Sequence, residues 1–297
     1  MAELLLKTKL GEKEFNVSLN EMEQKAYDRR NRRRYLRRSS LPLLLARIEG
    51  AKSIGELEKL TMSYDLCSFC DYKDFELEAA KSLSKSLVRI NDDFPFARGC
   101  LDYIGSFNSY WNHLSKFATS PLPKAIGLTG FMDQKEILEF GRLMKEWISP
   151  MYEKKSRDQT WAFFMCPWSY FQCILIDESD VSPAAIRSLR ASIEANEKSG
   201  FHPKKCSGLE SVYFHELGHA LDHLTNLSNG ADFDKFWKSL SQEEIKKDLS
   251  IYGASCEKEF LAEAISEYYC SPKPREIAKK VYKMLQKRYA YVASKLI

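Results

Sequence analysis

The stretch that decides the fold is SGLESVYFHELGHALDHLTNL, residues 207–227. Ser207 and Glu210 have the spacing of a capping box, so we expect a helix to begin there. Apolar side chains then recur every three or four residues, as in a helix with one buried face. These side chains are Leu209, Val212, Tyr213, Leu217, Ala220, Leu221 and Leu224. The pattern predicts an amphipathic helix that packs against a core.

The same helix carries an HExxH motif, His215-Glu216-Leu217-Gly218-His219. At about 100° per residue, His215 and His219 lie one turn apart on one face, so both imidazoles can bind a single ion. Glu216 is rotated from them by roughly a quarter turn, where it can contact a water on that ion. Two histidine ligands with a general base in this order indicate a zinc peptidase. The alternative is an amphipathic core helix with surface histidines.

Length and composition narrow the class of protein. The chain has 297 residues, of which 44% are hydrophobic, enough for a substantial core. It contains no run of about 18 apolar residues, so we expect no membrane span. Residues 1–15 have no long apolar segment and no small-residue cleavage site, so we identify no secretory signal and expect a cytoplasmic protein. Delivery into another cell remains open.

The eight cysteines are scattered along the chain and do not resemble a disulfide framework. Cys67 and Cys70 form a CxxC motif without a second pair. We therefore expect reduced thiols rather than a metal or redox site at that motif.

Positive charge is concentrated between Lys25 and Arg38. This segment contains eight basic residues and one acidic residue, a net charge of +7. The whole chain carries only +4, so the rest of it carries −3. A helix of this composition favours a nucleic acid or an acidic partner, because arginine suits phosphate geometry. The alternative is a solvated helix face or arm. The candidate binding residues are Arg29, Arg30, Arg32, Arg33, Arg34, Arg37 and Arg38.

Short strands and helices suggest the organisation of the chain. A hairpin is expected around Gly11, a short strand over residues 101–107, and two β-rich runs over residues 161–166 and 171–176. Zinc peptidases commonly lay their substrate along an edge strand beside the HExxH helix, so one of the last two strands is expected to bind it. The order predicts an α+β fold, mostly helical with a small twisted sheet against the HExxH helix.

We divide the chain into a basic N-terminal arm or helix (residues 1–50), a helical region (51–155) and a catalytic region (156–297).

A third zinc ligand is needed, because zinc hydrolases usually have three protein ligands and leave one position to water. The metzincin pattern is excluded, since Thr225 and Asp222 stand where that pattern has its third ligand and a glycine. His223 lies too far along the helix to share the ion. Glu259 and Glu263 fall one turn apart on a second predicted helix. Either carboxylate could bind zinc while the other accepts a hydrogen bond from a ligand histidine. The alternative interpretation is that both glutamates are solvated.

HELGHALDH, followed about forty residues later by YGxxxxxEFxAE from Tyr252 to Glu263, resembles the gluzincin metallopeptidases. It is most similar to the anthrax lethal factor group and to phage-borne zincin-like peptidases, over residues 160–270. The resemblance implies a zincin-like fold for the catalytic region. It also implies zinc ligands His215, His219 and Glu259, the general base Glu216, the oxyanion donor Tyr252 and the supporting carboxylate Glu263. Asp222 is a further candidate for a supporting carboxylate, and Tyr268 and Tyr269 are the alternatives to Tyr252.

The sequence is compatible with two different functions. The first is a zinc-dependent endopeptidase that hydrolyses a protein substrate by a zinc-activated water, with Glu216 as the general base. The second is a protein that binds nucleic acid or an acidic partner through its basic N-terminal helix and has a structural zinc site. A structural site would need a fourth protein ligand, for which Cys256 and Asp222 are the nearest options.

Overall fold

The computed structural model describes residues 5–10, 13–18, 41–64, 66–67, 69–94, 101–107, 109–110, 161–165 and 172–296. Within them the fold is α+β, mostly helical with one small sheet and one separate hairpin, as the sequence predicted. The α-helices with defined bounds are α1 (Leu41–Gly50), α2 (Ile54–Ser63), α3 (Leu77–Asp93), α4 (Glu178–Val181), α5 (Ile186–Ser199), α6 (Leu209–Thr225), α7 (Ala231–Lys238), α8 (Gln242–Asp248), α9 (Glu257–Cys270) and α10 (Glu276–Leu296). A 3-10 turn, Tyr252–Ala254, joins α8 to α9.

The predicted N-terminal hairpin is confirmed. Strands β1 (Leu5–Leu10) and β2 (Lys13–Ser18) pair antiparallel on either side of residues 11 and 12.

The small sheet contains strands β3 (Phe69–Asp71), β4 (Tyr103–Ser106), β5 (Ala162–Met165) and β6 (Cys173–Ile176). Their spatial order is β3-β4-β6-β5, and only β5 runs antiparallel to its neighbour. The predicted strands β4, β5 and β6 are confirmed, whereas β3 was not predicted. The all-apolar sequence of β6 is typical of a strand that is covered on both faces. Strands β3 and β5 form the two edges of the described sheet, and β5 is the edge that lies against α6.

Helix α6 is the predicted HExxH helix, but its first turn differs from the prediction. The helix begins at Leu209, and its N-cap residue is Gly208. Glycine has no side chain, so no side-chain hydrogen bond caps the first turn. The capping box predicted for Ser207 and Glu210 is therefore wrong. The Ser211 hydroxyl donates instead to the Gly208 carbonyl at 2.7 Å. The helix start is thus stabilised mainly by burial, since α6 packs against α3, α9, α10 and β5.

Helices α6 and α9 pack closely and run antiparallel. A Cβ atom placed on Gly218 would lie 2.9 Å from the Ala262 Cα atom, so the two backbones approach to a distance that only glycine permits. The Ser266 hydroxyl on α9 also donates to the Ser211 carbonyl on α6 at 2.8 Å. This contact fixes which residues of the two helices face each other.

One continuous apolar core extends from α1 to α10, and it includes Leu44, Leu87, Leu217, Ile265 and Leu285. It draws side chains from all three regions of the predicted division, which itself stays a prediction. None of the helices in the described ranges combines the length and apolar character needed to cross a bilayer.

Candidate metal centre

Three predicted ligand atoms meet between α6 and α9. The Nε2 atom of His215 lies 3.1 Å from Oε2 of Glu259 and 3.2 Å from Nε2 of His219. The remaining distance, from His219 Nε2 to Glu259 Oε2, is 3.3 Å. A tetrahedral ion about 2.0–2.1 Å from each ligand requires ligand atoms roughly 3.3–3.4 Å apart. The three side chains therefore form a group that could hold one metal ion.

The surroundings of Glu259 fit a bound cation. Its Oε2 atom is buried and has no hydrogen-bond donor among the described residues, although it lies close to both histidines. A buried carboxylate oxygen without a donor is costly, and a cation at the centre of the group would satisfy it. Burial acts to raise the pKa of Glu259, but the two histidines outweigh it and hold that pKa well below its usual range. Two imidazoles and one carboxylate are a donor set that suits zinc.

Glu263 holds His215 in place from one turn further along α9. Its Oε1 atom accepts from His215 Nδ1 at 2.7 Å, and its Oε2 atom accepts from the Ser250 hydroxyl at 2.8 Å. Burial acts to raise the pKa of Glu263, but His202 and His215 lower it to about 2, so this carboxylate is ionised and can only accept. The Nδ1–H of His215 therefore points to Glu263, and Nε2 is the atom that could bind an ion.

His202 is a site residue that sequence reasoning missed. Its Nδ1 lies 3.2 Å from both oxygens of Glu263, so the buried carboxylate contacts two histidines. Its ring lies 5.6 Å from Trp161 and 5.7 Å from Tyr252, measured between centroids. The spacing of His202 from the HExxH motif is not a helical one, so no sequence signal indicated that the two share a site.

Glu216 lies beside the three ligands and faces the edge strand. Its Oε2 atom accepts a short hydrogen bond from the Phe164 backbone N–H of β5. The residue is almost completely buried, yet it lines the cavity next to the ligands. This position is the one expected from its rotation on the helix. It allows contact with a water or substrate at the ion without making Glu216 a fourth ligand.

Tyr252 is brought to the site by the 3-10 turn. Its ring stacks on His215 at 5.7 Å and on Phe201 at 5.4 Å, measured between centroids. Its backbone N–H donates to the Phe201 carbonyl at 3.0 Å, which fixes the turn against the loop before α6. Burial and the carboxylates of Glu259 and Glu216 raise the pKa of Tyr252 above its ordinary value. The phenol is therefore protonated at neutral pH and available as a donor.

A cavity of about 180 Å³ opens beside the ligands. Its lining comes mainly from α6, from β5 and the residue before it, and from the loop before α6, and much of it is aromatic or apolar. The residues that line the cavity include Trp161, Phe201, Val212, Glu216 and Tyr252.

The structure corrects the prediction for Asp222. Its two carboxylate oxygens accept from the Ser228 backbone N–H at 2.8 Å and from the Ser228 hydroxyl at 2.5 Å. These bonds fasten the chain that leaves α6, and Asp222 makes no contact with a ligand histidine within the described residues. It therefore neither supports the metal centre nor supplies a fourth ligand.

The further candidates Cys256, Tyr268 and Tyr269 also lie apart from the three ligands. Cys256 is the N-cap residue of α9 and does not belong to the group that could hold a metal. The ring of Tyr268 stacks on Tyr282 at 3.6 Å, and the Tyr269 hydroxyl donates to Asp93 at 2.6 Å. The basic cluster from Arg29 to Arg38 lies outside the described residues.

No protein-family model, no curated protein and no solved structure matches the chain. The resemblance to gluzincins therefore stays a prediction.

Proposed function

We propose that the chain is a zinc-dependent endopeptidase of the gluzincin kind, with His215, His219 and Glu259 as its zinc ligands. The observation that carries the proposal is the group of three ligand atoms with the Glu216 carboxylate beside it, at the wall of an open cavity. A core helix with surface histidines would not need one partly buried and one fully buried carboxylate directed at those histidines.

The number of ligands favours a catalytic centre over a structural one. Structural zinc sites are usually closed by four protein ligands, whereas catalytic sites keep one position open. The described residues offer three ligand atoms, and Asp222 and Cys256 are engaged elsewhere or lie outside the group. An open position beside Glu216 is what a hydrolase requires.

When bound, zinc would acidify a water and polarise the substrate carbonyl. Glu216 would take the proton from that water and later deliver it to the leaving amine. Its hydrogen bond from the Phe164 N–H holds one oxygen of the carboxylate against β5. The orientation of the other oxygen is thereby restricted, which favours proton transfer at a fixed place in the cavity.

Tyr252 would donate its phenolic proton to the oxygen that becomes negative in the transition state. Its stacking on His215 keeps the ring next to the ligands. Because its pKa is raised, the phenol acts as a hydrogen-bond donor and not as a base.

The substrate would be an extended peptide that pairs with β5. Strand β5 has one neighbour, β6, in the described part of the sheet, and an edge strand can accept an added strand. The cavity would take one uncharged side chain next to the cleaved bond, since Trp161, Phe201 and Val212 line it. A dry cavity of about 150 Å³ is known to hold one benzene ring, so about 180 Å³ suffices for an aromatic residue.

The test compares the wild-type protein with Glu216→Gln in zinc content and in cleavage of a mixed peptide library. We expect near-stoichiometric zinc in both proteins, cleavage by the wild type next to large apolar or aromatic residues, and turnover lower by about 10² or more in the variant. An active Glu216→Gln variant would refute the mechanism. Wild-type protein without bound zinc would refute the metal centre.

A further inference from the structure

Two cysteines face each other at the end of the contact between α6 and α9. In this antiparallel pair, His219 faces Glu259, His215 faces Glu263, and Ser211 faces Ser266. Each step towards the start of α6 is matched by a step towards the end of α9. Cys206, in the loop before α6, and Cys270, at the end of α9, lie at this same end of the helix pair, and their side chains interact.

The state of the two side chains agrees with this register. Cys206 is buried in the loop before α6, and Cys270 is the last residue of α9 and is partly exposed. Both are free thiols, and their side chains lie close enough together to interact electrostatically. Neither has a part in the proposed peptide hydrolysis.

We propose that Cys206 and Cys270 are a cross-linking site, which forms a disulfide when the chain meets a small-molecule disulfide such as oxidised glutathione. The proposal is independent of peptidase activity. It also goes beyond the expectation of reduced thiols, because it concerns the chain in an oxidising compartment or medium.

The reaction is a pair of thiol–disulfide exchanges. The Cys270 sulfur attacks the small disulfide, forms a mixed disulfide and releases one small thiol. The Cys206 sulfur then attacks the Cys270 sulfur and releases the second small thiol. The two cysteine sulfurs lose one electron each, the small disulfide gains both electrons, and the two cysteine protons pass to the released thiolates.

The order of the two steps follows from exposure. Cys270 is the thiol that a dissolved disulfide can reach, whereas Cys206 is reached only through Cys270. Hydrogen bonding with Cys270, burial and the nearby Glu267 and Glu263 carboxylates raise the pKa of Cys206, so it is a poor first nucleophile.

The cross-link would close a loop that contains all three metal ligands. Residues 206–270 include α6 and α9 complete from the first residue to the last. A covalent bond across this loop reduces the freedom of the unfolded chain and keeps the ligand helices together when metal is removed. We therefore expect the oxidised protein to resist chelators better than the reduced protein.

Cys67 and Cys70 provide an internal comparison. They are also neighbouring free thiols, but both are almost completely buried. Neither sulfur of this pair is exposed enough to attack a dissolved disulfide first.

The experiment treats the full chain with oxidised glutathione, alkylates the remaining thiols, and maps the peptides by mass spectrometry. We expect one cross-linked peptide pair that contains Cys206 and Cys270, with Cys67 and Cys70 recovered as thiols. The thermal unfolding temperature with a chelator should rise by roughly 5–15 °C on oxidation of the wild type and of Cys67→Ser. It should not rise in Cys206→Ser or in Cys270→Ser. Separate alkylation of Cys206 and Cys270 after oxidation, or an equal rise in Cys206→Ser, would overturn the proposal.

Discussion

At the scale of single residues, Glu263 sets the tautomer of His215 without being a ligand itself. We expect Glu263→Gln to lower zinc affinity by about 10–100-fold, because the neutral amide holds the Nδ1–H of His215 less strongly. The measurement is zinc competition against a chelator of known affinity.

Asp222→Asn is the matched control for this change. It removes the same charge from a buried carboxylate, but Asp222 binds Ser228 and not a ligand histidine. Its zinc affinity should equal that of the wild type. Equal losses in the two variants would show that Glu263 acts only through overall charge or stability.

Tyr252 is predicted to act on the transition state and not on the metal. Tyr252→Phe removes one donor and should lower kcat by about 10²–10³, with little change in KM or zinc content. Tyr268→Phe is the control, since its ring stacks on Tyr282 away from the ligands. Full activity in Tyr252→Phe, measured with any cleaved peptide, would contradict the assignment.

The residues within one helix were predictable because a fixed rotation relates them. His215, Glu216 and His219 occupy the positions that helical geometry gave them, and the structure adds Glu259 to the same group. His202 was not predictable, because it meets Glu263 across 61 positions of chain. Only the packing of the loop before α6 against α9 creates that contact.

At the scale of elements, the approach of α6 to α9 depends on Gly218. Gly218→Ala should destabilise the protein by about 1–3 kcal/mol, because the added methyl group meets the Ala262 backbone at 2.9 Å. Zinc affinity should fall as well, since His219 and Glu259 lie on the two helices that would move apart. Denaturant unfolding and zinc competition measure the two effects.

Gly55→Ala is the matched helix control. Gly55 lies in α2, and an added methyl group would have no neighbour within 4 Å. This change should leave zinc affinity unaltered and stabilise the protein by up to about 1 kcal/mol through helix propensity. A Gly218→Ala variant that behaved in the same way would exclude a tight helix crossing.

Helices and strands with a clear apolar periodicity were predicted well. The ends of helices and the shortest strand were predicted poorly. Helices α6 and α9 and strands β5 and β6 occur where apolar patterning predicted them, but the first turn of α6 was misplaced because Gly208 took the capping position. Strand β3 has only three residues, FCD, and no pattern of its own. Its conformation comes from parallel pairing with β4, a contact between distant parts of the chain.

At the scale of the whole molecule, Arg275 ties three helices together. Its guanidinium forms a two-pronged pair with the buried Glu267 on α9, at 2.9 and 2.7 Å. It also donates to the Lys247 and Leu249 carbonyls at the end of α8, and α10 begins directly after it. Arg275→Met should destabilise the fold by about 3–5 kcal/mol, because Glu267 would remain buried without its charged partner.

Lys279→Met on α10 is the control for this prediction. Lys279 pairs with the exposed Glu276 at 2.8 Å, and such a surface pair contributes about 0–1 kcal/mol. Urea unfolding of both variants measures the difference. Similar small losses in the two would show that Glu267 is solvated when Arg275 is replaced.

The packing of distant helices against one another was the feature least predictable from the sequence. The sequence indicated a helical region before the catalytic region, but not that α3 would pack against α6 and bring Arg89 to the Tyr269 carbonyl at 2.8 Å. Apolar stripes show that a face is buried and do not show which partner covers it.

The division of the ligands between α6 and α9 also has a consequence during protein synthesis. Glu259 follows His219 by 40 positions, so a ribosome that adds roughly 5–20 residues per second makes it about 2–8 s later. During that interval the growing chain has two histidine ligands but neither the third ligand nor Glu263. The proposed metal centre can thus be completed only after translation of α9, and a ribosome paused before that point carries a chain without a complete site.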